Sequence, residues 1–448
     1  MANPILREIP CIPCTKTELD FESIPPTQMG ITDDYIIVTG PKAALDNDGP
    51  LEFVFEASGD DYTDLSECYL KIKLKLLNSD GSNLAHTAAG AAAAQATVVP
   101  CNLGFHSLFR QVDLVLNDTL VQSSQDSYPY KAYLSTLLSY GKGVKESWLK
   151  TLEGYYEDQA NKFDAADNTS IELKSKLCQN SKLFEWKGRI QMDLTLQSRL
   201  IPNGMSVKFL LTRSKPEFFI MSHEGGDAKY KVHIDSAAME VRRVKIAPEE
   251  QLRLEKVLTT KGAIYPTAHV ITKTFTVANG ARSISLDSMF VGEIPNKIIV
   301  GLVRNDAYHG SYGLNPFRFD HMNITNASLF VDGTRVPSLG YEIDMENNIY
   351  TDVFQALHKH CGVYPHDGSN NITEELFAGG AFLLVFDLTP DNAGDGVSYV
   401  TSKRRGTVKG SFRFSQALTH TTTVLALAQF DSNIFIDGNR SVTSDYAI

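Results

Sequence analysis

The chain has 448 residues, with 42 Lys+Arg against 53 Asp+Glu, a formal net charge of −11, 43% hydrophobic residues and 21% charged ones. Such a composition can bury large cores and excludes whole-chain disorder, collagen and coiled coil, and a length well above about 300 residues favours two domains over one. The acidic balance lacks the basic stripe with which nucleic-acid binders neutralise phosphates, and no window approaches the roughly 18 apolar residues that cross a bilayer.

The stretch from Met1 to Glu8 has neither the basic nor the apolar region of a signal peptide, so maturation in a reducing compartment is expected. Six cysteines at 11, 14, 68, 101, 178 and 361 are too sparse for a disulfide framework, and free thiols are expected. Strict alternation at Leu70, Ile72, Leu74 and Leu76, with Lys71, Lys73 and Lys75 between, is the period-two signature of a strand with one buried and one wet face. Comparable runs predict strands at 35–38, 51–55, 112–116, 188–194, 207–211, 232–234 and 239–246. The second half offers 270–277, 283–286, 297–303, 328–331, 382–388, 411–414, 424–430 and 433–436. Asp80-Gly81, Asn279-Gly280, Asp332-Gly333 and Asp437-Gly438 punctuate them as turns. The class is all-β.

Helical spacing is rare. Tyr130, Tyr133, Leu134 and Leu137 make one apolar helix face, and Tyr350, Val353, Phe354 and Leu357 repeat its spacing 220 residues on. A hairpin precedes each, at 114–121 and 329–336, and Asp193-Leu194-Thr195 is matched downstream by Asp387-Leu388-Thr389. Ordered matches with drifting offsets predict a duplicated domain, with the extra residues of the first half in 142–183. The seam falls at 247–256, where Pro248 suits a first helical turn. Two sandwiches of the jelly-roll type follow, with an Ala-rich loop at 84–96 and an outward excursion at 141–181. The predicted division is an arm at 1–28, a first roll at 29–246, a linker at 247–261 and a second roll at 262–448.

Few residues suggest chemistry. Cys11 and Cys14 have the spacing of half a zinc site, but no second pair follows, and structural thiols are the expectation. His358, His360, Cys361 and His366 invite a metal reading, although cations at a helix C-terminus are already favoured by its dipole. Gly141 to Ser147 lacks the spacing of a phosphate loop, and Lys403-Arg404-Arg405 reads as a solvated turn. Six glycosylation sequons, at Asn117, Asn168, Asn323, Asn326, Asn371 and Asn439, are expected to stay unmodified. No catalytic residue, cofactor or metal ligand is assigned, and the chain is not expected to be an enzyme.

The segment Asn315 to Pro337, the following Gly340-Tyr-Glu-Ile-Asp344 and the helix at Tyr350 resemble the major capsid proteins of adintoviruses and of Polinton (Maverick) elements, as does the opening arm leading into Gln28-Met-Gly-Ile31. The resemblance implies a double jelly roll, two eight-stranded β-sandwiches in tandem with a few short helices in loops. It also implies a hexon-like structural protein whose homotrimers form pseudo-hexagonal capsomers of an icosahedral virion shell. Neighbouring capsomers, penton proteins and minor capsid proteins would be its partners, without strong nucleic-acid binding, and assembly would take place inside the host cell, in the nucleus. From the residues alone, a cellular jelly-roll protein that binds carbohydrate, or a carbohydrate-active enzyme on that fold, stands as the alternative.

Overall fold

The computed structural model describes residues 27–45, 49–57, 59–84, 98–223, 229–364, 368–392, 394 and 401–446. Beside a short pair, Val98–Pro100 with Ile220–Ser222, eight strands come from the first half: β1 Ile31–Thr39, β2 Leu51–Phe55, β3 Tyr62–Asn78, β4 Phe109–Leu116, β5 Thr119–Ser123, β6 Phe184–Arg189, β7 Val207–Arg213 and β8 Tyr230–Ile246. They pair antiparallel into two sheets with the orders β1-β8-β3-β6 and β2-β7-β4-β5. The second half supplies β9 Ala263–Val277, β10 Ser283–Glu293, β11 Lys297–Arg304, β12 Ile324–Val331, β13 Thr334–Glu342, β14 Leu383–Asp387, β15 Arg405–Phe414 and β16 Thr422–Ile436. Its orders, β9-β16-β11-β14 and β10-β15-β12-β13, repeat the first pair strand for strand, and a short strand, Val442–Ser444, is added against β16.

Alternation builds these sheets. Leu70, Ile72, Leu74 and Leu76 of β3 are all fully buried, each worth about 1.5–3 kcal/mol relative to exposure. On the opposite face Lys71 and Lys73 reach Glu185 of β6 at 3.3 and 3.7 Å. Where alternation lapses, the predicted boundaries fail. The runs at 232–234 and 239–246 are one strand, because a β-bulge between Ile234 and Ser236 absorbs the break. The runs at 424–430 and 433–436 also join, in β16. Conversely, β6 ends at Arg189, and the run predicted as strand at 188–194 extends past it into a 3₁₀ turn, Asp193–Leu196.

The helices exceed the few short ones expected. Those used below are α1 Tyr128–Ser139, α2 Thr169–Cys178, α3 Pro248–Lys261 and α4 Thr351–His360, of 12, 10, 14 and 10 residues. The two spacings that predicted helices fall on α1 and α4, and Pro248 opens α3. The segment 141–181 is no outward excursion, since Lys145, Leu149, Glu153, Asn168, Ile171 and Lys174 in it are buried. A run rich in Lys, Glu and Asn can pack inward where its polar heads find partners, as those of Lys145, Glu153 and Asn168 do, and composition does not reveal that. The Ala-rich loop, apart from the buried Leu84, and the arm up to Pro26 lie outside the described residues.

Trp186 of β6, 2% exposed, lies against the backbone of Gly104 and Gly154. Gly154 ends the helix Trp148–Glu153 at φ 72°, and a Cβ there would stand 2.7 Å from the indole. Gly154→Ala therefore meets both overpacking and left-handed backbone, and is expected to cost about 1–3 kcal/mol, read as a lower denaturant midpoint.

Candidate functional site

The two halves meet through an aromatic cluster and several polar nodes. The apolar face of α1 carries the buried Tyr130 and Tyr133 to the segment that follows β11. Tyr133 stacks on Phe317 with ring centroids 4.2 Å apart, and Tyr130 stacks on Tyr308 at 5.5 Å. Phe218 closes edge-on against Phe317 at 6.1 Å. Offset and edge-on pairs of this kind add to the burial of their area.

Beside it lies Asp193, 7% exposed, in the turn after β6. Lys131 of α1 donates to it at 2.6 Å, the Gln122 side-chain amide donates to its other oxygen, and His269 of β9 stands 3.5 Å away. Burial pushes this carboxyl pKa up, but Lys131 and His269 prevail and hold it below the usual range. Tyr446 stacks on His269 at 3.8 Å and donates to the Val121 carbonyl at 2.8 Å, fastening the end of the described chain to the first half.

Two further polar links come from 141–181. Lys145 donates to the carbonyls of Leu137 and Asn370 at 2.9 and 2.5 Å, and burial drives its ammonium pKa down to about 8 despite the pull of Glu157. Asp158 accepts from Asn102, Asn168 and Asn315, while Asp164 takes Arg318 at 2.6 Å.

The residues singled out in the sequence fare differently. His360, at the end of α4, stands 3.6 Å from Asp387. His358 lies edge-on against Phe354 at 4.5 Å, and burial lowers its pKa. Burial pushes the Cys361 thiol up to about 11, and those of Cys101 and Cys178 to about 12. Cys68, Cys101, Cys178 and Cys361 are free thiols. Cys11, Cys14 and His366 lie outside the described residues, among which no group of three His, Cys, Asp or Glu is placed to hold a metal. The Lys403-Arg404-Arg405 cluster is solvated at Lys403 and Arg405, both exposed, but is not a turn: Lys403 bridges Asp445 and Glu293 at 3.0 and 3.5 Å, Arg404 bonds the Leu388 carbonyl, and Arg405 opens β15. Gly141 to Ser147 is a helical turn delivering Lys145. Of the sequons, Asn168 is fully buried, with its side chain capping α2.

The matched Asp-Leu-Thr pair proves to be two buried carboxylates, each beside a histidine. Asp387 accepts from the Thr389 hydroxyl at 2.6 Å and from the Thr389 and Gly394 amides at 2.8 and 2.9 Å. Burial raises its pKa, but His360 and these bonds outweigh burial and set it at about 2. A carboxyl depressed in the folded state binds fewer protons there than in the unfolded chain. Its stabilisation, about 2 kcal/mol, is present above the unfolded value near 4 and is lost as pH falls toward about 2. Asp387→Asn is therefore expected to lower urea stability at pH 6 and to converge on the wild type as pH falls through 4 and 3.

A surface groove of about 660 Å³ on the outer face of β12 and β13 holds one half-buried aromatic, Phe330, with Glu342 and Asp344. Asp344 is engaged by Asn347 at 2.7 Å within its own turn. The described site is thus an internal dock, held by stacked rings and by the buried pair of Lys131 and Asp193.

The paired sheets and their repeated strand order place the fold with the double jelly-roll viral major capsid proteins. The chain is similar to a protein in the cryo-EM structure of the Sputnik virophage, at TM-score 0.66 and 12% identity over 98% of this chain and 93% of that one. The mavirus major capsid protein follows at TM-score 0.54 and 14% identity, covering 98% and 96%, and the Faustovirus major capsid protein at 0.55 and 9%, covering 94% and 93%. This likeness spans several viruses and does not single out adintoviruses or Polinton elements. In sequence, an uncharacterized protein of Caenorhabditis elegans is 25% identical over 370 residues, 82% of this chain and 86% of its own length. No family model matches. Among the described residues no helix is long and apolar enough to cross a membrane.

Proposed function

We propose that this chain is a structural major capsid protein, of adintovirus or Polinton type, whose homotrimers form pseudo-hexagonal capsomers of an icosahedral shell. The observation that carries the reading is the repeated strand order within one chain. Two like sandwiches, taken as domains 29–246 and 262–448 joined by a linker at 247–261, give a trimer six similar wedges. A threefold object then fills a hexagonal position. The internal dock supports the same reading, because rings and ion pairs that cross between the halves hold the two wedges in a constant relation. Structural likeness to capsid proteins along nearly the whole chain adds to it. The role is non-enzymatic. Penton and minor capsid proteins are the proposed partners, and nuclear assembly into virions is the proposed course. The net charge of −11 suits a shell that encloses its genome rather than gripping phosphates.

The test is the mass of the full chain in solution by light scattering, followed by negative-stain imaging. A mass of three chains, with three-lobed or hexagonal particles or shells, is expected. A stable monomer that scores on a glycan array would overturn the reading in favour of the carbohydrate class.

A further inference from the structure

Strand β1 is an edge strand of unusual exposure. It bonds β8 along one side and ends its sheet on the other. Ile36 and Val38, on one face, are 61% and 62% exposed, and Tyr35 is 37% exposed. An uncovered apolar edge is a template for another chain, and proteins normally blunt such edges with Lys, Pro, bulges or a covering element. The other edges of the molecule are treated that way. The helix Trp148–Glu153 packs on β6, and α4 packs on β14. The β9 edge is met by Arg199, which donates to the Ile264 carbonyl at 2.5 Å, and the Tyr446 hydroxyl holds Val121 of β5. β13 contains Pro337 and the left-handed Gly340, β10 is bulged, and β2 has only five residues. Among the described residues no helix or loop covers β1, Ile31–Thr39 contains neither Lys nor Pro, and the irregularity of the strand, between Ile31 and Asp33, lies at its start and leaves Asp33–Thr39 in regular register with β8.

Its acidic residues are already balanced within the chain. Asp33 is paired with Lys245 at 3.3 Å and Asp34 with Arg242 at 2.8 Å. The segment Tyr35–Thr39 is uncharged, whereas the molecule as a whole carries −11 and repels its own copies elsewhere. The strand is also complementary to itself. Antiparallel pairing about Ile36 sets Tyr35 against Ile37, Asp34 against Val38 and Asp33 against Thr39, so that no acid faces an acid.

We propose that β1 joins capsomers: strand 31–39 of one copy adds antiparallel to strand 31–39 of a second copy across a two-fold axis at Ile36. The contact rests on the capsid reading above, and being two-fold it lies between trimers rather than within one. It extends each four-stranded sheet into an eight-stranded one across the boundary.

The experiment uses the full chain in a Cys11→Ser, Cys14→Ser background. Ile36→Cys is expected to give a disulfide-linked dimer on oxidation, because directly opposed Cα atoms in an antiparallel pair lie within disulfide reach. Lys73→Cys, on the wet face of the same sheet, is expected to give none. Ile36→Lys with Val38→Lys is expected to cut the yield of shells at least tenfold while the trimer mass persists. Shells formed at wild-type yield by the double lysine variant, or no Ile36→Cys dimer in assembled protein, would sink strand pairing and leave the capsid reading intact. A cross-link at Ile36 in a protein that forms neither trimers nor shells would keep the strand pairing and overturn the capsid reading.

Discussion

Phe317→Ala is expected to produce one of the two largest losses of stability, about 3–5 kcal/mol, which is the usual range for emptying a fully buried aromatic site. The ring is fully buried and touches Tyr130, Tyr133 and Phe218, which come from two separate segments of the first half. Its removal opens a cavity at the junction itself, beyond either sheet pair. The distribution of the loss is therefore as informative as its size. Calorimetry on the wild type should show the halves unfolding together, and the variant should show the transition broadening or dividing in two. An equal loss with one sharp transition would mean that the polar nodes alone hold the halves together. Phe317→Leu, which refills much of the volume, should recover most of the loss.

The second large effect concerns the ion pair of Lys131 and Asp193, whose side chains are 6% and 4% exposed. Asp193→Ala leaves a buried ammonium uncompensated and removes the acceptor of Gln122, and a cost of about 3–5 kcal/mol is expected. Replacing both partners, Lys131→Met with Asp193→Leu, should cost far less, because the desolvation of two charges disappears with their attraction. Denaturant melts of the two singles and the double complete the cycle. A double variant as unstable as the singles would show that Gln122 and His269, rather than the charge pair, carry the node. The pH response has a definite sign. Asp193 is held below the usual carboxylate range, so its contribution is present above pH 4 and fades as acid protonates it.

Much of the strand inventory was legible because alternation is local. A half-buried strand must place every second side chain inside, and β3, β2 and β7 show this without reference to anything distant. The same holds for α1 and α4, whose four apolar positions mark one face whatever that face meets. The duplication was legible too, since the order of hairpin, helix and Asp-Leu-Thr survived unequal loops. The lapses have equally local causes. A bulge such as that in β8 interrupts alternation without ending the strand, and the 3₁₀ turn at Asp193 borrowed an apolar pattern from a strand that had already ended.

The dock was a different matter. Tyr133 was recognised as core, but its partner Phe317 lies 184 positions away, and nothing in either neighbourhood names the other. The segment 141–181 was assigned to the surface on composition, whereas Lys145 and Asp158 are buried because carbonyls and amides converge on them from elsewhere in the chain. Even the matched aspartates were noticed only as punctuation. Their pKa values are depressed against burial chiefly by Lys131 with His269 at Asp193 and by His360 at Asp387, groups that approach from other elements.

By itself, then, the sequence determined the strand-dominated class of the fold, the doubling of its unit and the faces of many of its strands and helices, because these follow from short-range periodicity and turn chemistry. Only the tertiary structure decided which apolar face meets which, which charges are buried in pairs and, among the described residues, which edge strand is left uncovered. Those outcomes depend on contacts between distant segments, where burial and pairing are properties of the assembled chain and of no single stretch within it.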